Sequence, residues 1–352
     1  MWLDDLLQTI PLPDREAIRS AQARQLILTK PAGSLGRLED LAIQIAGITG
    51  NAIPKLTHKV VVTIAGDHGI VAEGVSAYPQ DVTTQMLANF QSGGAAINVL
   101  ANLVGARLVV VDVGASKELP NLKRVIDKKV SLGTANMTRG PAMSTEQALQ
   151  AMKAGVDVVE AELKKGLDAL ALGEMGIGNT ESAAAIAAIL TGRDPSDLIG
   201  RGTGVDDAGL AKKVVAVRRA IEVNSPIATD PLDVLAKVGG FELAALAGAT
   251  LAAAKHRRPV IVDGYPATAA VMIAAALAPR LRPFLIASHL SQENGHRIML
   301  DWLGLNPLFD LGMRLGEGTG AVLGMFFAEA ACRLLGEMAT FQEAGVSTGE
   351  DL

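Results

Sequence analysis

Two uninterrupted β-branched runs, KVVVTIAG at 59–66 and ARLVVVDVG at 106–114, constrain this chain more than any other feature. A strand with one face in water alternates apolar and polar residues. These runs carry apolar residues on both faces, which demands helices above and below a parallel sheet. LDALALG (167–173), RPVIVDG (258–264) and RPFLIAS (282–288) extend the series, each followed by glycine or polar residues and then a helical segment. The rhythm is βα repetition. Helices are predicted at about 81–104 with a break at Gly93-Gly94, and at 144–165, 180–190, 206–223, 240–255, 266–278 and 319–337. Their alanines favour helix and permit close seating on a sheet. Residues 1–50 read as helix in two pieces, broken at Gly33-Ser34-Leu35-Gly36, while the polar stretch 121–140 reads as a surface excursion. The organisation expected is the N-terminal part of a small helical domain at 1–57, a large α/β domain at 58–300, and a C-terminal segment at 301–352 that returns in part to the small domain.

Composition removes several classes. A chain of 352 residues buries a sufficient core without a metal or a disulfide. With 49% hydrophobic and 20% charged residues it is not a disordered chain, and its 37 glycines follow no Gly-X-Y period. The net charge of −5, without a long Lys/Arg block, argues against a nucleic-acid track and favours small ligands. Cys332 is the single cysteine, which excludes an intrachain disulfide and a thiolate-rich metal cluster. The first residues lack the basic-then-apolar order of a secretory signal, and no stretch offers 18 consecutive apolar residues; a cytoplasmic protein without membrane insertion is expected. The mean hydropathy of +0.30 is accounted for by alanine-rich buried helices or by a large apolar subunit interface.

In doubly wound sheets ligands bind beyond the carboxyl ends of the strands. The residues there are coherent: Gly66-Asp67-His68-Gly69, Gly114, GEMGIGNT at 173–180, Asp263-Gly264 and Ser288-His289. Three glycine-rich segments open helices: Gly173 to Thr180, Gly200-Arg201-Gly202-Thr203-Gly204 before Lys212 and Lys213, and Gly316-Glu317-Gly318-Thr319-Gly320 after Arg314. Helix-start amides with nearby glycines suit a phosphate and a sugar. The first is not a dinucleotide fingerprint, since Glu181 stands where a close-packing glycine is wanted, and none is a Walker loop. Each segment is also compatible with an ordinary tight turn. Glu317, at a helix start, is expected to be ionised unless apolar walls oppose the dipole, and so to serve as a general base; Glu174 is placed to bind ribose hydroxyls or assist proton transfer. Capping backbone amides is the alternative role for either. His68, His289 and His296 lack metal-ligand spacing, and no GxSxG follows a strand, so metal and serine-hydrolase readings are disfavoured.

KPAGSLGRLEDLA (30–42), AGDHGIVAEGVSAYPQDVTTQM (65–86), NFQSGGAAINVLA (89–101), LGEMGIGNTESAAAI (172–186), GRGTGVDD (200–207), GGFELAALAGA (239–249) and LGMRLGEGTGA (311–321) together resemble the nicotinate-nucleotide–dimethylbenzimidazole phosphoribosyltransferase family of cobalamin nucleotide-loop assembly. The resemblance spans essentially the whole chain. It implies a large Rossmann-like domain, with a parallel β-sheet flanked by helices, plus a small helical domain built from N- and C-terminal segments. The implied reaction transfers 5-phosphoribose from nicotinate mononucleotide to 5,6-dimethylbenzimidazole, giving α-ribazole 5′-phosphate and nicotinate with inversion at the anomeric carbon. Glu317 is implied as the general base that takes the benzimidazole N–H proton, with Glu174 supporting it near the ribose. Gly176, Gly178, Asn179, Gly202, Gly204, Lys213, Ser291 and Arg314 resemble the phosphate and ribose surround, and Tyr78, Gln85, Met86 and Leu315 the benzimidazole pocket. The resemblance also implies a homodimer that needs no metal, and no cofactor is expected. No pyrophosphate-binding loop of the magnesium-dependent transferases is evident. Related transfer to another azole or purine-like base, and a noncatalytic nucleotide-binding role, are the alternatives.

Overall fold

The computed structural model describes residues 2–118, 122–202 and 204–347; Thr203 of the second glycine-rich segment and Asn121 at the start of the polar stretch lie outside them. The chain opens with α1 (Trp2–Gln8), α2 (Arg15–Ile27) and α3 (Arg37–Thr49), then β1 (Lys59–Gly66), a 3₁₀ turn (Gly69–Glu73), α4 (Asp81–Ser92), α5 (Ala96–Val104), β2 (Arg107–Gly114) and β3 (Val125–Asp127). It continues through α6 (Thr145–Leu163), β4 (Ala169–Met175), α7 (Asn179–Thr191), α8 (Pro195–Leu198), α9 (Asp207–Asn224), α10 (Pro231–Val238), α11 (Phe241–Lys255) and β5 (Val260–Val262). The last elements are α12 (Tyr265–Leu277), a 3₁₀ turn (Pro279–Phe284), β6 (Leu285–Ala287), α13 (His296–Leu303), α14 (Thr319–Glu337) and α15 (Phe341–Ala344).

The six strands form one parallel sheet in the order β3-β2-β1-β4-β5-β6. This is the Rossmann-like arrangement expected. The chain winds outward from β1 to β3 and then returns to lay β4 on the other side of β1, so the connections leaving β1 and β4 diverge and open a crevice between them. All eight residues of β1 are buried. Val60, Val62 and Ile64 join the core under α6, α7, α11 and α12, while Val61 and Ala65 join the core under α3, α5 and α14. Covering helices on both faces explain why the run shows no polar alternation.

The alanine and glycine content finds its use where helices cross. A Cβ at Gly155 of α6 would lie 1.8 Å from the Ala245 carbonyl oxygen of α11, and one at Gly248 of α11 would lie 2.0 Å from the Met152 carbonyl oxygen. The two backbones touch there.

Residues 1–50 form three helices rather than two, because Pro11 and Pro13 separate α1 from α2 in addition to the glycine break. α2 and α3 pack together, and α2 is tied to the end of α14: Arg24 Nε donates to the Leu335 carbonyl at 2.6 Å, and Thr29 N to the Ala339 carbonyl at 3.0 Å. α1 does not join them, since Leu3 and Leu6 enter the core on the α11 side of the sheet. The polar stretch contributes the edge strand β3 and then folds inward, burying Met137 and Thr138. α14 is long and apolar enough to cross a membrane, yet it lies packed against α3, α5 and the sheet.

Candidate active site

A cavity of about 490 Å³ lies over the crevice between the ends of β1 and β4. Its walls come from distant parts of the chain. Val75, Ser76, Tyr78, Val82 and Met86 form one end, the turn from Glu174 to Glu181 forms the floor, and Gly202, Lys213, Ser291, Glu293 and Arg314 form the other end, with Leu315, Gly316 and Glu317 alongside.

Glu317 stands between Gly316 (φ 84°) and Gly318 (φ 96°) and itself has φ 63°, a left-handed conformation that a side chain adopts only under constraint. Thr63 Oγ1 in the centre of β1 donates to the Glu317 carbonyl at 2.8 Å, and Glu317 N donates to the Glu174 carbonyl at 3.2 Å. Gly173 of β4 lets the elbow settle, because a Cβ there would fall 2.2 Å from the Glu317 carbonyl oxygen. The carboxylate accepts from Ile97 N at 3.2 Å. Burial pushes the Glu317 pKa above the ordinary carboxylate value, with Asp263 adding to the rise and the Ile97 amide opposing it. The sequence-based expectation of a lowered pKa from the α14 dipole is corrected. Asp263, at the end of β5, takes the amides of Gly318 at 3.1 Å and Ala321 at 2.9 Å.

Glu174 lies on the same side of the cavity. Burial first, then the carboxylates of Asp263 and Glu242, raise its pKa to about 8, against a hydrogen bond from Asn179 Nδ2. Its carboxyl therefore holds its proton to a higher pH than an ordinary surface glutamate.

The three glycine-rich helix starts differ in what they offer. Asp263 fills that of α14, and Asp206 caps α9 through Gly209 N at 2.8 Å. Among the described residues no side chain caps the first turn of α7, whose start faces the cavity. Gly176 is required there by a close approach: a Cβ would meet the Gly66 carbonyl oxygen at 2.2 Å. Thr83 Oγ1 accepts from Ile177 N at 3.1 Å and fixes the turn to α4. Beneath it, His68 is hydrogen-bonded to Glu242 at 2.7 Å and to Ser182 at 3.0 Å. Burial alone would lower the His68 pKa, but the Glu242 carboxylate outweighs it and the pKa rises.

At the far end Lys213 pairs with Glu181 at 2.9 Å and donates to Thr180 Oγ1 at 3.2 Å. Arg314 Nη1 reaches across to the Gly202 carbonyl at 3.0 Å. Ser291 is held from behind: its N–H donates to His296 Nδ1 at 2.8 Å, and the opposite ring nitrogen lies 2.9 Å from Thr268 Oγ1. Burial drives the His296 pKa down to about 3, so its ring is neutral and Nε2 carries the proton.

The structure thus brings Glu174, Glu317, Tyr78, Met86, Gly176, Gly178, Asn179, Gly202, Lys213, Ser291, Arg314 and Leu315 to one cavity. Two expected residues are elsewhere. Gln85 is exposed and does not line it, because one residue along α4 rotates the side chain about 100° away from the face shared by Val82 and Met86. Gly204, also exposed, serves the turn into α9 with φ 100° and touches no ligand-facing wall.

Comparison with known proteins places this geometry. A protein-family model described as phosphoribosyltransferase matches residues 10–346. The nicotinate-nucleotide–dimethylbenzimidazole phosphoribosyltransferase of Desulforudis audaxviator is 56% identical over 353 residues, covering 99% of this chain and 100% of the relative. That of a Roseiflexus species is 54% identical over 345 residues, covering 98% of each chain. The chain belongs to the nicotinate-nucleotide–dimethylbenzimidazole phosphoribosyltransferase family. A crystal structure of the Thermus thermophilus member superimposes with a TM-score of 0.91 at 48% identity, covering 96% of this chain and 100% of that one. Membership makes the chain a phosphoribosyltransferase.

Three carboxylates at this cavity were given no site role by the sequence reading, although Asp263 was among the residues singled out after the strands. Glu181 and Glu293 line the cavity, and Asp263 supports the Glu317 elbow from a position 54 residues earlier in the chain. Asp263 carried a usable signal, a carboxylate directly after a strand. Glu181 carried none, since it occupies an unremarkable place in the first turn of a helix.

Proposed function

We propose that this enzyme transfers 5-phosphoribose from nicotinate mononucleotide to 5,6-dimethylbenzimidazole, giving nicotinate and α-ribazole 5′-phosphate for the nucleotide loop of cobalamin, in the cytoplasm and as a homodimer. The observation that carries the reading is the buried left-handed Glu317, whose carboxylate borders the same cavity as the uncapped start of α7 and Lys213. A phosphate fits against the α7 amides, with Lys213, Ser291 and Arg314 around it. The apolar end, with Val75, Val82, Met86 and Leu315, suits a flat uncharged base held without an aromatic cage.

The sugar is then fixed at both ends. As nicotinate leaves C1′, oxocarbenium character develops at that carbon, and the unprotonated benzimidazole nitrogen attacks from the opposite face. The anomeric carbon inverts. Positive charge builds on the benzimidazole ring, and Glu317 takes the proton from its other nitrogen. Its raised pKa brings the base nearer to the working pH, which favours that transfer. Neutral Glu174 has an O–H to donate, and a ribose hydroxyl is its proposed acceptor. Prior alignment of sugar and base supplies much of the rate.

The homodimer is supported by large apolar side chains exposed on two neighbouring helices. Val99 and Leu103 on α5, 63% and 75% exposed, lie beside α14, where Phe326 is 58% exposed. The test of the reaction is incubation of the protein with nicotinate mononucleotide and a panel of bases, following nicotinate release and product mass. Release that requires 5,6-dimethylbenzimidazole and yields its ribotide supports the reading. A ribotide formed only with another azole would reassign the acceptor, and no base-dependent release would overturn it.

A further inference from the structure

Glu293, between β6 and α13, is an anomaly at the anion-binding end of the cavity. It is 7% exposed, and its Oε2 has no hydrogen-bond partner. The neighbouring carboxylate, Glu181, is neutralised by Lys213 at 2.9 Å, whereas no ion pair engages Glu293 among the described residues. Its place is built: a Cβ at Gly200 would lie 1.9 Å from Glu293 Oε2, so that glycine makes room for the carboxylate, and the Gly202 amide approaches it. Glu293 lines the same wall as Lys213, Ser291 and Arg314.

An ionised carboxylate in that position repels a phosphate dianion, while a protonated one donates a short charge-assisted hydrogen bond to it. We infer that Glu293 is a contact for the phosphate of the donor nucleotide and binds it as the neutral acid, so that nucleotide binding takes up one proton from solvent onto Glu293. The inference rests on the phosphate position proposed above. The groups facing Glu293 are consistent with it. Burial raises its pKa, Glu181 on α7 adds to the rise, and Lys213 on α9 with Arg314 before α14 opposes it. Tyr265 on α12 stays protonated, its pKa raised by burial and by Glu293, and donates to the Leu198 carbonyl at 2.9 Å. His296, at the start of α13, is neutral.

The test is calorimetric titration of nicotinate mononucleotide into the full chain between pH 6 and 9, in buffers of different ionisation enthalpy, beside nicotinate riboside, which lacks the phosphate. The nucleotide phosphate is dianionic above about pH 7, its second pKa being near 6, so uptake in that range is not its own. The wild-type protein is expected to take up more protons with the nucleotide than with the riboside, since any uptake at Glu174 on contact with the ribose is common to both ligands. Its affinity should fall by up to about tenfold per pH unit where free Glu293 is ionised. In Glu293→Gln the amide donates at every pH, so that the uptake in excess of the riboside's disappears, and with it the extra pH dependence of the nucleotide's affinity. Nucleotide binding with no uptake beyond the riboside's in the wild type, or the same excess uptake in Glu293→Gln, overturns the inference while leaving the proposed reaction intact. The wild-type titration decides this even where the variant folds poorly. Absence of nucleotide binding at every pH overturns the phosphate position itself, and the inference with it.

Discussion

Glu317 joins a left-handed backbone to a buried acid, two costs accepted together at one residue. A left-handed non-glycine residue costs of order 1–3 kcal/mol, which the Thr63 and Ile97 hydrogen bonds help to offset. We expect Glu317→Gln to keep the shape, the melting temperature and nucleotide affinity while lowering turnover by about 10²–10⁴-fold, the usual share of a general base. Steady-state nicotinate release with parallel calorimetry checks this. The pH profile carries the sign. A base must be ionised to work, and the Glu317 pKa is raised, so the acid limb of the wild-type rate should lie above the ordinary carboxylate range; a limb at the ordinary value would defeat the assignment. Glu174 gives a second prediction. Its folded pKa of about 8 exceeds the 4.5 of the free side chain, so the folded protein holds more protons and loses stability as pH rises from 4.5 to about 8. Glu174→Gln should therefore raise the melting temperature at pH 8.5 and change it little at pH 5. An equal gain at both would contradict the burial argument. The sequence carried Glu317 and Glu174 because both sit among glycines after a strand or at a helix start. It could not carry their pKa values, which depend on Asp263 and on burial by elements far away in the chain.

At the scale of elements, the long helices and the buried strands were legible, since periodicity and two-faced apolar runs are properties of neighbouring residues. β3 was not. It is three residues long and lies at the sheet edge, where Val125 and Ile126 pack half-buried on opposite faces, too short a run to show a period. α10 was missed despite a usable sign: Asp230 followed by Pro231 is a cap and a first helical residue, and Asp230 does accept from Leu232 N and Asp233 N. The glycine-rich starts were found, but which of them is open to a ligand was hidden, because the cap of α14 comes from β5. The same non-local support makes Thr63 informative. It belongs to β1 and holds the elbow before α14, so Thr63→Val preserves the strand and leaves the Glu317 carbonyl buried without its partner. Such a loss costs about 1–3 kcal/mol. Chemical denaturation should show that loss, and kcat should fall more than nucleotide affinity because the displaced group is the base and not the phosphate surround. Unchanged kcat would mean the elbow holds its shape without β1.

For the molecule as a whole, the strand order follows from the parallel connections and could be anticipated as a doubly wound sheet, whereas packing of α1 on the α11 side, apart from α2 and α3, could not, since it depends on which face its apolar stripe meets. Subunit contacts are one step further from the sequence. Val99 and Leu103 are spaced four apart on α5, so they share a face, and Phe326 is exposed on the adjacent helix. Burying a Leu or Phe side chain contributes about 1.5–3 kcal/mol, and a two-fold interface uses each residue twice. A charge introduced there also enters twice and close to its own copy. Light scattering should therefore give the wild type twice the 36.5 kDa chain mass, and Leu103→Asp together with Phe326→Asp should shift it to the single-chain mass while the melting transition of the chain persists. A wild type of single-chain mass would remove the dimer. A dimer that survives both aspartates would move its interface away from α5 and α14.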